Sequence, residues 1–308
     1  LSRYARVAAR IALAATLAGS FLSCATNGTP KNLKWPDALA VNREAILPLK
    51  MNAHFIVPEF PVAINGQTVF LEFDTGTPHG FMLTDPDPAK FGLETISTAR
   101  ELNADGSDRG ARSLIVRADT IEVLGITTKR ITGKLSDWKT YSSFPFSGLV
   151  SPELFGPRRI SLDYRNRLYA ISDTPVPDGL PGNVHGVARL IRIPERFGGN
   201  VYFENTLGGE PVVTYLDTGA SHSVIDDRMV ERLHLKWHAR GSRKLCDKIT
   251  FTIGEKEFTV KDILIERVSR SGEFGEKVML CLGMDFLKDY LFTLDRTGEP
   301  LIVVSDPR

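Results

Sequence analysis

The sequence predicts a mostly β protein built from two copies of one β lobe, and three observations lead there. From Ile46 onward, short alternating apolar runs are broken by Gly, Pro and Asn, the mark of regularly spaced short strands. Helix-period patterns are few, with Asp226 to Leu235 the best candidate. Finally, the chain repeats itself.

The strand reading rests on turn chemistry. Val62 to Phe70 alternates apolar and polar residues around Asn65-Gly66, a pair suited to a two-residue hairpin turn. Thr120 to Ile126 and Thr250 to Gly254 have the same form.

The repeat fixes the organisation. Phe73-Asp74-Thr75-Gly76 recurs as Leu216-Asp217-Thr218-Gly219, an offset of 143 from 74 to 217, and the turn glycines Gly66 and Gly209 share it. Later, Leu149 to Phe155 matches Cys281 to Leu287 at an offset of 132, which holds through Ile160–Asp163 and Phe292–Asp295. The first half therefore carries 11 more residues in its middle, the difference between 143 and 132. Thr174 to Gly182 is rich in Pro and Gly and reads as a linker. The expected division is a leader at 1–24, a tether at 25–45, a first lobe at 46–173, a linker at 174–186 and a second lobe at 187–308.

Composition narrows the functional classes. The 308 residues are 42% hydrophobic and 24% charged with a net charge of +1. No global field recruits nucleic acid, so function has to come from local motifs.

The first residues differ in kind. Arg3, Arg6 and Arg10 precede an apolar run from Ile11 to Leu22, about a dozen residues against the roughly 20 of a spanning helix. This reads as a signal peptide. Its end, Phe21-Leu22-Ser23-Cys24, resembles the lipobox of bacterial lipoproteins, although Phe21 and Leu22 depart from the usual residues. The resemblance implies lipidation at Cys24, export to the cell envelope and an outer-membrane tether. The other two cysteines, Cys246 and Cys281, are either a disulfide or two thiols.

Each half resembles a lobe of the pepsin- and retropepsin-like aspartic proteases. The resemblance is carried by Val69 to Thr77, by Val212 to Ser221, and by the later strand Cys281-Leu282-Gly283, whose first-half counterpart Leu149-Val150-Ser151 departs in having Ser. One Asp-Thr-Gly is expected by chance about once per several thousand positions. Two, each after an apolar run and inside a repeat, are far harder to dismiss.

The resemblance implies two β-barrel lobes with an active-site cleft between them, and peptide hydrolysis without metal or organic cofactor. It makes Asp74 and Asp217 the catalytic pair. One carboxylate would activate water while the other, protonated, donates to the scissile carbonyl. Thr75, Gly76, Thr77, Thr218, Gly219, Ala220 and Ser221 would support them, with Thr75 and Thr218 bonding across the lobe boundary. Asp105, Gly106 and Ser107 would sit in a single flap over the substrate, lacking the Tyr that pepsins carry there. Thr77 beside Ala220 mixes the pepsin and retropepsin patterns and implies a rate optimum at about pH 5 to 6.5. The implied substrate is a polypeptide, a cell-envelope protein in this setting. With both aspartates in one chain, a monomer suffices, although pairing of lobes between chains is a rival. The other rival is a peptide-binding lipoprotein of the same fold that does not cut.

Other features carry less. His234 and His238 are four apart but have no third metal ligand nearby, and Lys236 to Lys244 is a basic run that reads as a solvated face. His79 and His222 follow the two motifs and receive no catalytic role.

Overall fold

The computed structural model describes residues 46–51, 57–77, 79–85, 87–102, 108–136, 147–180, 185–191, 201–268 and 278–306. The first half contributes β1 (Ile46–Pro48), β2 (Lys50–Met51), β3 (Pro58–Ile64), β4 (Gln67–Phe73), β5 (Phe81–Leu83), β6 (Glu94–Leu102), β7 (Asp108–Val123), β8 (Ile126–Leu135), β9 (Gly148–Val150), β10 (Arg159–Asp163) and β11 (Leu168–Ser172). The second contributes β12 (His185–Arg189), β13 (Val201–Leu207), β14 (Glu210–Leu216), β15 (Val224–Asp226), α1 (Asp227–Arg232), β16 (Trp237–Arg240), β17 (Arg243–Ile253), β18 (Lys256–Glu266), β19 (Val278–Leu282), α2 (Met284–Leu287), β20 (Leu291–Asp295) and β21 (Leu301–Ser305).

The protein is mostly β, with two closed six-stranded barrels. The first runs β3–β4–β9–β5–β8–β7 and closes where β7 pairs back onto β3. The second runs β13–β14–β19–β15–β18–β17 and closes onto β13. Each has two parallel pairings, β4 with β9 and β5 with β8 in one, β14 with β19 and β15 with β18 in the other. Closure leaves no edge within the six barrel strands, while β6 and β16 lie outside the closed rings at the ends of their sheets. This architecture fits a two-lobed pepsin- or retropepsin-like fold.

Turn residues explain the hairpins. Asn65 and Gly66 both take positive φ, 46° and 82°, the geometry whose twist suits a two-residue turn. The Asn65 side chain also works at long range. Its Nδ2 donates to the carbonyls of Phe91 and Gly92 at 3.0 and 2.9 Å, and its Oδ1 accepts from the Thr120 N–H.

A third sheet, in the order β1–β11–β10–β20–β21–β12, joins the two halves. At its centre β10 and β20 pair antiparallel, so that Ser161 faces Thr293 and their hydroxyls bond at 2.8 Å. These two residues are repeat equivalents at the offset of 132. An element facing its own equivalent marks a local two-fold axis. β12 begins at His185, inside the stretch read as linker, and pairs with β21.

Aromatic rings fill each barrel. Phe60, Phe73, Phe155 and Tyr169 meet edge to face with centroids 5.1–6.0 Å apart. Phe251, Phe258, Phe286 and Tyr290 do the same work in the second half. A fully buried Phe contributes about 2–3 kcal/mol through the apolar area it removes from water. Phe73 and Leu216, both fully buried, immediately precede the two aspartates. Core packing therefore fixes where each following loop begins.

Two local expectations need correction. The helix expected over Asp226 to Leu235 is shorter: Asp226 is its N-cap, accepting from the Arg228 N–H, and it ends at Arg232 before His234 turns left-handed at φ 50°. The second half also has a hairpin of its own, β16 with β17, with Gly241-Ser242 as a two-residue turn. It sits at the sheet end, as β6 and β7 do in the first half.

Candidate active site

The two Asp-Thr-Gly segments leave the ends of β4 and β14 and meet between the barrels. Each aspartate is held by its backbone, the Asp74 N–H donating to the Val150 carbonyl at 3.0 Å and the Asp217 N–H to that of Leu282 at 2.9 Å. The strands β9 and β19 thus set the height of each loop. Each carboxylate then accepts from the N–H two residues on, Gly76 to Asp74 Oδ1 at 2.6 Å and Gly219 to Asp217 Oδ1 at 3.0 Å.

The loops lock reciprocally. The Thr75 N–H donates to Thr218 Oγ1 at 3.0 Å, and the Thr218 N–H to Thr75 Oγ1 at 3.0 Å. The hydroxyls donate onward, Thr75 to the Leu216 carbonyl at 2.7 Å and Thr218 to the Phe73 carbonyl at 2.9 Å. Both threonines are fully buried, where an unmade hydrogen bond costs most. Four bonds related by a two-fold exchange hold the halves in one relative position.

That lock places each carboxyl group over the opposite loop. A Cβ added at Gly76 would lie 2.6 Å from both carboxylate oxygens of Asp217, and one at Gly219 would lie 2.8 Å from Asp74 Oδ1. Only glycine permits this approach. Asp74 is buried, at 5% exposure, whereas Asp217 is partly open. Two carboxyl groups from two loops are therefore each brought against the glycine of the opposite loop.

Beneath the loops the halves diverge. In the second half Ser223 Oγ donates to Asp285 Oδ1 at 2.6 Å and accepts from the Gly283 N–H at 3.0 Å, while the Ser223 N–H reaches the same Asp285 oxygen. Gly283 is required, since a Cβ there would meet the carbonyls of Ala220 and His222 at 2.7 Å. In the first half the positions are exchanged. Gly80 stands where Ser223 does, its carbonyl accepts from the Ser151 N–H at 3.0 Å, and Ser151 Oγ caps the 3-10 turn at Pro152–Phe155. The departure to Ser151 is matched by the smaller residue opposite.

Asp226 anchors the segment after the loop. It is fully buried and receives Arg228 Nε at 2.7 Å, Arg228 Nη2 at 3.0 Å and the Val268 N–H at 2.9 Å. Burial pushes its carboxyl upward, but the hydrogen bonds from Arg228 and Val268 and the Arg228 charge outweigh it and hold the group below the usual carboxylate range.

The remaining expected residues are placed as follows. Thr77 is buried, Ala220 half-buried and Ser221 exposed. Asp105, Gly106, Ser107 and Cys24 lie outside the described residues, as do the leader and tether. β6 and β7 pair antiparallel from Glu94–Arg117 out to Leu102–Asp108. His238 lies on β16 with Nδ1 2.7 Å from Asp247 Oδ1. No group of three or more His, Cys, Asp or Glu suited to a metal occurs among the described residues. Cys246 and Cys281 are both buried, and burial pushes the Cys246 thiol upward, a setting that keeps a thiol inert.

Sequence reasoning missed Asp226, Ser223 and Asp285. Asp285 had a signal, standing two residues after Gly283 in the repeated strand.

No protein-family model matches the chain, and no curated protein matches it.

Proposed function

We propose that this chain is an aspartic endopeptidase of the two-lobed pepsin/retropepsin-like family, hydrolysing peptide bonds with Asp74 and Asp217 as its dyad. The observation that carries the reading is the crossed placement of the two carboxyl groups, each over the glycine of the opposite loop. Like charges so placed favour sharing one proton. The ionised member takes a proton from the water between them as it attacks the scissile carbonyl. The protonated member donates to the carbonyl oxygen, and a proton then passes to the leaving amine as the C–N bond breaks. Because the lock between Thr75 and Thr218 lies within one chain, a monomer builds the whole site.

The basic and apolar start that ends at Cys24 supports an exported, lipid-tethered enzyme whose substrate is an envelope polypeptide. An unstructured polypeptide incubated with purified wild type and with Asp74→Asn tests the activity. Wild type yields internal cuts, and the variant loses at least about 10³-fold while its circular dichroism is unchanged. Binding of the polypeptide without any cut by wild type would instead make the chain a peptide-binding protein.

A further inference from the structure

The hairpins β6–β7 and β16–β17 carry charge in an arrangement that folding does not favour. At the base of the first, Glu94 faces Arg117 and binds it through two contacts of 3.0 Å, the opposite-charge pairing sheets normally use. Farther out, Arg100 faces Arg112 directly. In the second hairpin Arg240 faces Arg243 at the pair next to the turn. Like charges directly opposite destabilise a ladder, yet the same arrangement occurs in both halves.

The second hairpin is cationic throughout. Residues 233–246 contain Lys236, Arg240, Arg243 and Lys244 and no Asp or Glu. None of these four is ion-paired among the described residues. Among the described residues, the carboxylates within ion-pair distance of the hairpin, Asp247 and Asp262, face His238. Trp237 is 50% exposed with the Lys244 ammonium 5.3 Å from its ring centre. Ile96, on β6, is the other exposed large apolar side chain among the described residues. Each hairpin therefore combines an open apolar residue with a facing arginine pair.

The two hairpins are equivalent elements of the repeat, each at the end of its own sheet. The axis passes through the Ser161–Thr293 pair and the Thr75–Thr218 lock. A two-fold rotation keeps related features at the same height along its axis, so the hairpins stand on opposite flanks at one level.

We propose that the two hairpins form an acidic-polypeptide site, the guanidinium pairs Arg240/Arg243 and Arg100/Arg112 receiving Asp or Glu side chains of a substrate segment. This rests on the endopeptidase reading for what happens to the bound chain, and extends it by naming the substrate class. Guanidinium forks match carboxylates in two-point contacts, which an ammonium does not. A polypeptide is favoured over a lipid surface because β6 and β16 are edge strands. Among the described residues each has a strand partner on one side only, so its outer edge can pair with an extended chain.

The test is fluorescence anisotropy on the full chain carrying Asp217→Asn, which prevents turnover. Two labelled unstructured peptides are compared, one Glu-rich and one with Gln at the same places. The Glu-rich peptide should bind about ten-fold more tightly, the effect of a few exposed charge pairs, and the gap should shrink with salt. Arg240→Gln with Arg243→Gln should remove most of the gap. Arg240→Glu with Arg243→Glu should turn the preference toward a Lys-rich peptide, an outcome only a folded protein can give. Equal affinity for both peptides would overturn the proposal, as would a gap untouched by these variants. Binding to phosphatidylglycerol vesicles without any Glu preference would overturn it in favour of a lipid surface. Cleavage by wild type is scored separately. Failure to cut with an intact Glu preference sinks the endopeptidase reading alone, and cutting with no preference sinks this site alone.

Discussion

The two halves share one plan and differ in how each braces its aspartate. In the second half, Ser223, Gly283 and Asp285 form a hydrogen-bonded brace beneath the loop, and Asp226 ties the next segment to Arg228 and Val268. In the first half the brace is one backbone bond, from Ser151 to Gly80, and Asp74 is the more buried carboxyl group. The polar brace lies under the more open of the two aspartates. A duplicated lobe thus keeps the contacts that bring the two aspartates together, the Thr75–Thr218 lock and the crossed glycines, and lets their supports diverge.

The sharpest way to break this comparison is at the glycines both halves retain. Gly76→Ala and Gly219→Ala each put a methyl group within 3 Å of the opposite carboxyl group. Each should cost at least about 10²-fold in kcat/KM, the scale of a 1 Å misplacement. Steady-state cleavage of an unstructured polypeptide measures it, and equal losses in the two halves would show that the symmetry is functional.

The brace is tested by stability. Asp285→Ala leaves Ser223 without its acceptor and should cost about 1–3 kcal/mol in urea unfolding. Its first-half counterpart, Glu153→Ala, is an exposed change and should fall within about 0.5 kcal/mol of wild type. Similar values for the two would mean that the halves are braced alike.

Acid should act on the second half through Asp226. Its folded carboxyl lies below the usual range, so it stabilises the protein at pH values above the unfolded carboxylate value of about 3.9. That stabilisation fades as pH falls through the lower folded value. Asp226→Asn should therefore destabilise at neutral pH, and thermal melts of the two proteins should converge in strong acid. A difference that grew toward low pH would reverse the argument.

The smallest expected effect lies in the hairpin turns. Asn65→Gly keeps the left-handed turn but removes three side-chain bonds, costing about 1 kcal/mol. The matching turn Gly208-Gly209 has no such side chain, and a Cβ at Gly208 would press on Leu233 at 2.8 Å. Gly208→Asn should accordingly destabilise, although it copies the first half. Melting temperatures of the two variants check both signs.

Much of this was legible because duplication prints the same signals twice. Asn65-Gly66 and Gly209 announced the turns, and the offsets of 143 and 132 placed equivalent strands before any coordinates existed. Barrel closure was not legible from pattern alone, since β3 meets β7 and β13 meets β17 through contacts far apart in sequence. The brace escaped for another reason. Ser223 and Asp285 are ordinary polar residues 62 positions apart, and only folding brings them within 2.6 Å. The helix was overrun because His234 reverses the backbone with a side chain that gives no such signal.

The central claim is that Asp74 and Asp217 act as one unit, and a double-mutant cycle on cleavage addresses it directly. Rates are compared for wild type, Asp74→Asn, Asp217→Asn and the double variant. If the carboxyl groups share one water, each single change loses at least about 10³-fold and the double loses no more than either, since members of a catalytic unit are not additive. Losses that multiply in the double variant, or substantial cleavage surviving in either single variant, would contradict a shared dyad.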